Sequence, residues 1–393
     1  MKQQSPYVHI VHSSATRVET GVFAPSGVLY SNTPGHHALV AARVQPERYE
    51  VLAPRRWGWI EGDLLDEVQD RVGRLIACQH DVGLQSMLSD AHLRTVGLRY
   101  VSSGDSQQLD ITLVGKVFAP EREAAHTLAL NWFEEISLML PHDYSLVPLV
   151  SEQEFMRHSG QALLEAPSTQ TAEIRRFETF RLQPRQEDVQ ETDYLVYPFL
   201  WHRHAMEQVW QVMASHTAPA VVSVTLRPVY LYEAEEFYLG QLYEAATEAA
   251  NSDQAAERIQ GELAARIYAD YLRTWKQPYL VRVQVTAPDK IPGALTRATG
   301  CALAYGSGSG QEDYAFPGYE VLVPDAEEEA LAHKNVCLLE MNDWGRDQAA
   351  PPYRRFRYLA DVRGARCVFQ LPFVPKEGIP GVLIRQGAKH KES

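Results

Sequence analysis

The sequence predicts an α+β protein built from two or three mixed αβ units behind an N-terminal β-rich section. Two observations carry that expectation. Apolar residues alternate in several short runs and recur every 3.6 residues in longer ones, and the two kinds of run are interleaved along the chain. At 393 residues the chain exceeds one ordinary domain, while 45% hydrophobic and 22% charged residues give it a normal globular core.

Residues 7–60 read as short strands. Tyr7-Val8-His9-Ile10-Val11 is a β-type run, and Pro25-Ser26-Gly27 and Thr33-Pro34-Gly35 read as turns that separate the strands of this section. Residues 62–90 turn helical, with Leu64, Leu65, Val68, Val72 and Ile76 close to one face. Val96, Leu98 and Tyr100 alternate, Ser103-Gly104-Asp105-Ser106 turns the chain, and Leu109, Ile111 and Leu113 alternate again, which predicts a β-hairpin. Pro120 suits the first turn of a helix with Ala125, Leu128, Trp132, Ile136 and Met139 on its apolar face. Tyr144 to Val150 returns as a strand, completing a ferredoxin-like strand-strand-helix-strand unit over 61–157.

Gly160, Pro167, Ser168 and Thr169 mark 158–172 as a linker. The second unit, 173–305, opens with strands at Phe177–Leu182 and Tyr194–Phe199 and a helix near 203–215. Ala220 to Leu226 is a buried strand, 232–274 is helical and divided at Asn251-Ser252-Asp253, and Tyr279 to Thr286 is a strand entering a helix at 291–304. In that strand Leu280, Arg282 and Gln284 share one face. The C-terminal extension, 306–393, holds a strand, an acidic helix near 325–341 and a closing aromatic segment.

Charge and cysteine usage bound the function. Asp plus Glu outnumber Lys plus Arg by 50 to 37, and the resulting −13 repels a long polyanion on average. Cys78, Cys301, Cys337 and Cys367 form no CxxC pair, which points to a reducing compartment and away from structural zinc. Met1 to Val11 lacks a signal-peptide core and no run reaches the roughly 18 to 20 apolar residues of a membrane span. The expected location is the cytoplasm.

Motifs for chemistry are incomplete. Gly306-Ser307-Gly308-Ser309-Gly310 leads into Gln311, Glu312 and Asp313, whose carboxylates oppose phosphate, so it reads as a flexible loop. His202 and His204 flank Arg203 with no acid or Cys at helical spacing, and His36-His37 sits beside Pro34-Gly35 in the expected turn; neither pair reads as a metal site. Asp110 and Lys116 superficially suggest a nuclease strand but lack the second acid. The acids from Asp325 to Glu329 suit a helix N-terminus. Cys367 lies beside Arg366, yet reads as a buried thiol in an apolar segment. No cofactor is expected.

Four segments, taken in order, carry a likeness. They are Leu98-Arg99-Tyr100 with 109–117 and 123–138, then Pro219 to Pro228, then Pro278 to Val283, then Arg357 to Pro372 continued by Gly378-Ile379-Pro380-Gly381-Val382. Together they resemble the N-terminal, non-motor region of HerA–FtsK-class ATPases, in particular conjugation and type IV secretion motors. That class adds a GxxxxGK[ST] loop within some tens of residues; Gly387-Ala388-Lys389-His390 is not one, since no Ser or Thr follows the Lys. The resemblance thus implies αβ units that pack around and help oligomerise a ring-forming motor.

The leading expectation is a non-catalytic accessory or scaffold subunit partnered by a separately encoded P-loop ATPase. Phe369, Leu371, Phe373 and Val374 are the expected partner interface. One alternative is a nucleic-acid-binding subunit using Arg354, Arg355, Arg357, Arg363 and Arg366 with interleaved Tyr353, Phe356 and Tyr358. The other is an enzyme with a site assembled from dispersed residues, which a pocket of converging titratable groups would reveal.

Overall fold

The computed structural model describes residues 5–24, 27–48, 52, 61–90, 94–104, 108–184, 190–200, 205–276, 278–304, 318–344, 355–374, 378–379, 381–382 and 384. The chain is α+β, as the interleaved periodicities predict. Strands β1 (Val8–Ala24) and β2 (Gly27–Pro46) are long and pair antiparallel, with Ala24 opposite Gly27. Pro25 and Ser26 lie outside the described residues. The turn expected at Thr33-Pro34-Gly35 is corrected: β2 runs through it. The register shifts between Ser13 and Thr16 of β1, and a bulge opposite lets a strand carry a proline. Gly35 serves close approach instead, since a Cβ there would stand 2.6 Å from the Ala119 carbonyl oxygen.

Helix α1 (Glu61–Asp90) buries the expected face, Leu64 through Ile76. Strands β3 (Arg94–Ser102) and β4 (Leu109–Ala119) form the expected hairpin, Leu98 opposite Leu113. Helix α2 (Arg122–Met139) lies across β4 with Trp132 over Gly115, where a Cβ would meet the indole at 2.1 Å. Glycine is what lets helix and strand touch there. Strand β5 (Tyr144–Pro148) pairs with the end of β2 rather than with the β3–β4 hairpin.

Residues 158–172, expected as a linker, hold the end of α3 (Glu152–His158), the single turn α4 (Gln161–Leu164) and the start of β6 (Thr169–Arg176). Ser159, Gln161 and Leu164 are buried, and the sheet continues through β6. Strands β7 (Glu178–Pro184) and β8 (Gln190–Val196) form a separate hairpin. Then come α5 (Ala205–Ser215), β9 (Ala220–Pro228), α6 (Glu233–Ala250) and α7 (Ala255–Thr274), the last two divided near Asn251 as expected. Strand β10 (Tyr279–Pro288), α8 (Gly293–Ala304), β11 (Tyr319–Leu322), α9 (Glu329–Leu338), β12 (Leu359–Ala360) and α10 (Val362–Val368) complete the order.

The strands of both expected units meet in one sheet, ordered β1-β2-β4-β3-β9-β10-β6-β11, with β5 beside β2 and β12 beside β10. All of these pairings are antiparallel. One face presents Val96, Leu98, Val222, Val224, Val281 and Val283 to α1, α2, α5, α8 and α10. Burying each such side chain contributes about 1.5–3 kcal/mol. A second core joins the α6–α7 and β7–β8 hairpins, where Tyr271 stacks on Trp275 with ring centroids 4.0 Å apart. Among the described residues no helix is long and apolar enough to cross a membrane.

Candidate functional site

Alternation along the central strands puts their polar side chains on the face opposite the main core. Read across the register, Thr112, Arg99, Ser223, Gln284 and Glu173 form one row over β4, β3, β9, β10 and β6. Water does not cover this face. Helices α3, α4 and α9 and residues 339–344 lie over it, so its charges must be paired from within.

The arginines do this by donating to backbone carbonyls. Arg99 donates from Nη2 to the Val336 and Cys337 carbonyls (2.9 and 3.2 Å), buried acceptors in the last turn of α9. From Nη1 it reaches the Ser159 carbonyl at 3.1 Å and Gln161 Oε1 at 2.8 Å. Leu339, left-handed at φ 49, ends α9 and turns the chain across the sheet. There Arg282 donates to the Asn342 carbonyl (2.9 Å) and Arg175 to that of Trp344 (2.7 Å). Asn335 closes the loop, donating to the Asn342 carbonyl at 2.8 Å and accepting from its N–H at 3.1 Å.

Two ionic clusters anchor this layer. Glu173 accepts from Arg175 Nε at 2.5 Å, and its other oxygen is 2.9 Å from Arg282 Nη1. Lys116 Nζ lies 2.6 Å from Glu340 Oε1, with His37 Nε2 at 3.4 Å from the same oxygen. Burial alone would raise the Glu340 pKa, but the Lys116 ammonium and His37 outweigh it and hold the carboxyl down at about 2. Burial, reinforced by Lys116, drives His37 down to about 3. These groups are enclosed by protein, and a general acid or base must reach a substrate. Their role is to hold the layer together.

The expected interface is corrected. Phe369, Leu371, Phe373 and Val374 are buried in this chain's own main core, because α10 folds them under β10 and α1. Most of the described arginines of the arginine segment are likewise paired within the chain. Arg357 is buried 3.3 Å from Glu178, Arg355 lies 3.3 Å from Glu235 and over the Tyr232 ring, and Arg366 pairs with Asp70. Arg363 is 67% exposed and pairs with Asp270 and Asp361. Arg354 lies outside the described residues, as do His202, His204 and the glycine loop.

Asp110 and Lys116 are separated by partner: Asp110 lies 2.7 Å from His158 Nδ1, whereas Lys116 faces Glu340. His36-His37 is in β2, not a turn, and the helix after the acidic run begins at Glu329. Among the described residues no group of three or more His, Cys, Asp and Glu side chains could hold a metal ion. Burial pushes the Cys337 and Cys367 thiols up to about 12, while Cys78 and Cys301 are exposed. A thiol reagent is expected to label Cys78 and Cys301 in the folded protein and the other two only in denaturant, which peptide mass spectrometry checks.

One cavity of ≈ 160 Å³ opens between the two hairpins. Thr179, Tyr194, Leu195 and Tyr197 form one wall; Leu242, Ala245, Ala246 and Ala249 of α6 and Glu257, Gln260, Gly261, Leu263, Ala264 and Tyr268 of α7 form the other. Among the described residues that line it Glu257 is the one carboxylate, beside the hydroxyls of Thr179 and three tyrosines and the amide of Gln260. Sequence reading missed this cavity. The signal lay in the small residues Ala245 and Ala249, and in Glu257, Gly261, Ala264 and Tyr268, each set at helical spacing on one face. The chain matches no protein-family model and no curated protein by sequence.

Proposed function

We propose that this chain is a non-catalytic accessory or scaffold subunit that assembles with a separately encoded P-loop ATPase of the HerA–FtsK class, in DNA transfer, secretion or phage defence. One observation carries this reading: the segments with the resemblance meet at the centre of the fold. Leu98–Tyr100, 109–117, 220–228 and 279–283 lie in β3, β4, β9 and β10, four strands adjacent in the sheet, and 357–372 packs against them. Weak likenesses that converge on one core are what a shared fold leaves, since core positions tolerate the least change in shape. The internal pairing of the buried charges adds to it, leaving shape and surface as what the chain offers.

The contact surface of this reading is the α6–α7 hairpin, where Phe237 and Ile259 are 62% and 63% exposed. The test is co-expression of the tagged chain with the P-loop ATPase encoded nearest to it, followed by sizing of the purified complex. Phe237→Glu combined with Ile259→Glu is expected to abolish co-purification while stability changes by no more than about 0.5 kcal/mol per exposed site. A chain that stays monomeric beside the ATPase sinks the reading. So does ATP turnover by the purified chain alone that one of its own residues controls.

A further inference from the structure

We propose that the cavity between the β7–β8 and α6–α7 hairpins binds a small organic cation, an alkylated ammonium on a compact apolar body. This stands whether or not a motor is the partner.

Size comes first. A void of ≈ 160 Å³ takes one small molecule, since an engineered apolar cavity of about 150 Å³ binds benzene. The void is maintained by side-chain choice: Ala245, Ala246, Ala249 and Ala264 face it where valine or leucine would fill it. At the tip the helices are already in contact, for a Cβ on Gly261 would meet the Ala250 nitrogen at 2.3 Å. The opening therefore lies toward the β7–β8 wall and not between the helices.

Chemistry sets the class. Tyr194, Tyr197 and Tyr268 contribute three aromatic rings, and aromatic walls attract ammonium groups through the ring quadrupole. Glu257 adds a carboxylate fixed in the first turn of α7, where Ser252 Oγ donates to its Oε2 at 2.5 Å. Among the described residues no lysine, arginine or histidine lines the cavity. Glu244 and Glu248 on neighbouring α6 are exposed and add to the negative potential. Leu195, Leu242 and Leu263 supply contact for methyl groups. A carboxylate ligand would meet repulsion, and a neutral one would leave the rings and Glu257 unused.

The test is calorimetry on the full chain with choline, with 3,3-dimethylbutan-1-ol, which has the same shape with carbon in place of nitrogen, and with 3,3-dimethylbutanoate. Choline is expected to bind about tenfold more tightly than the alcohol, and the anion not at all. Glu257→Gln is expected to bring choline to within about threefold of the alcohol without changing the alcohol's affinity, as loss of one exposed-edge charge implies. Ala264→Trp fills the cavity and removes both. Should that variant unfold, the smaller change Ala249→Leu reduces both in its place. The proposal is overturned if the wild-type chain binds none of the three, if the anion matches choline, or if Glu257→Gln leaves the preference for choline intact.

Discussion

Replacing Glu173 by alanine is expected to destabilise the fold by about 3–5 kcal/mol, read as a lower urea midpoint at unchanged slope. Glu173 lies between Arg175 and Arg282, all three buried, at 2.5 Å from one and 2.9 Å from the other. Its loss leaves two guanidinium groups in a medium that cannot solvate them. Their remaining partners include the Trp344 and Asn342 carbonyls, the rings of Trp344 and Tyr358, with centroids 5.2 Å from Arg175 and 4.9 Å from Arg282 respectively, and the Asp343 carboxylate near Arg175. Residues 339–344 are held by those same arginines, so their amides are expected to lose hydrogen-exchange protection first. Replacing Glu173, Arg175 and Arg282 together by methionine is expected to restore most of the stability, because an absent ion pair needs no solvation whereas a broken one does. A triple variant as unstable as Glu173→Ala would show that shape, not charge, is what the cluster supplies.

Glu340→Ala is the second large effect, again about 3–5 kcal/mol, since it strands the buried Lys116 ammonium. Here pH gives an independent reading. The Glu340 carboxyl lies at about 2 in the fold against 4.5 ordinarily, so its stabilisation is present above 4.5 and is lost as pH falls from 4.5 toward 2. His37 lies at about 3 against 6.5, so the fold requires its neutral form. Its contribution is complete above 6.5 and is lost as pH falls from 6.5 toward 3. Both slopes therefore run the same way, with stability falling on acidification in two overlapping stages. His37→Gln is expected to flatten the limb between pH 6.5 and 5, apart from the share of His80, which burial lowers in the same sense. Glu340→Ala is expected to flatten the limb below 4.5. Denaturation midpoints measured from pH 2 to 8 check both.

Legibility in the sequence followed the range of the forces involved. The α1 face, the β3–β4 hairpin, the split of α6 from α7 and the two faces of β10 were readable, because each depends on residues within a few positions of one another. The Thr33-Pro34-Gly35 turn was misread for the opposite reason. Whether Pro34 breaks a strand depended on a register shift in β1 and on the room beside Ala119, both remote in sequence.

The same division holds for the candidate sites. Phe369, Leu371 and Phe373 are apolar in any reading, but only the packing of α10 decides whether their cover is a partner or this chain. Arg282 and Gln284 sit on a polar face by alternation alone. That the face is buried depends on α9 and residues 339–344 crossing it, which no local pattern encodes.

The sequence by itself determined the α+β class, most of the amphipathic faces, the −13 charge and the absence of a complete nucleotide-binding motif, all properties of neighbouring residues or of simple sums. Tertiary structure alone decided that strands from both expected units share one sheet, that the buried arginines among the described residues are paired with carboxylates and carbonyls, and that two hairpins leave a tyrosine-lined cavity between them. The physical reason is that pairing, burial and voids depend on the distance between groups far apart in the chain, and that distance exists only once the chain has folded.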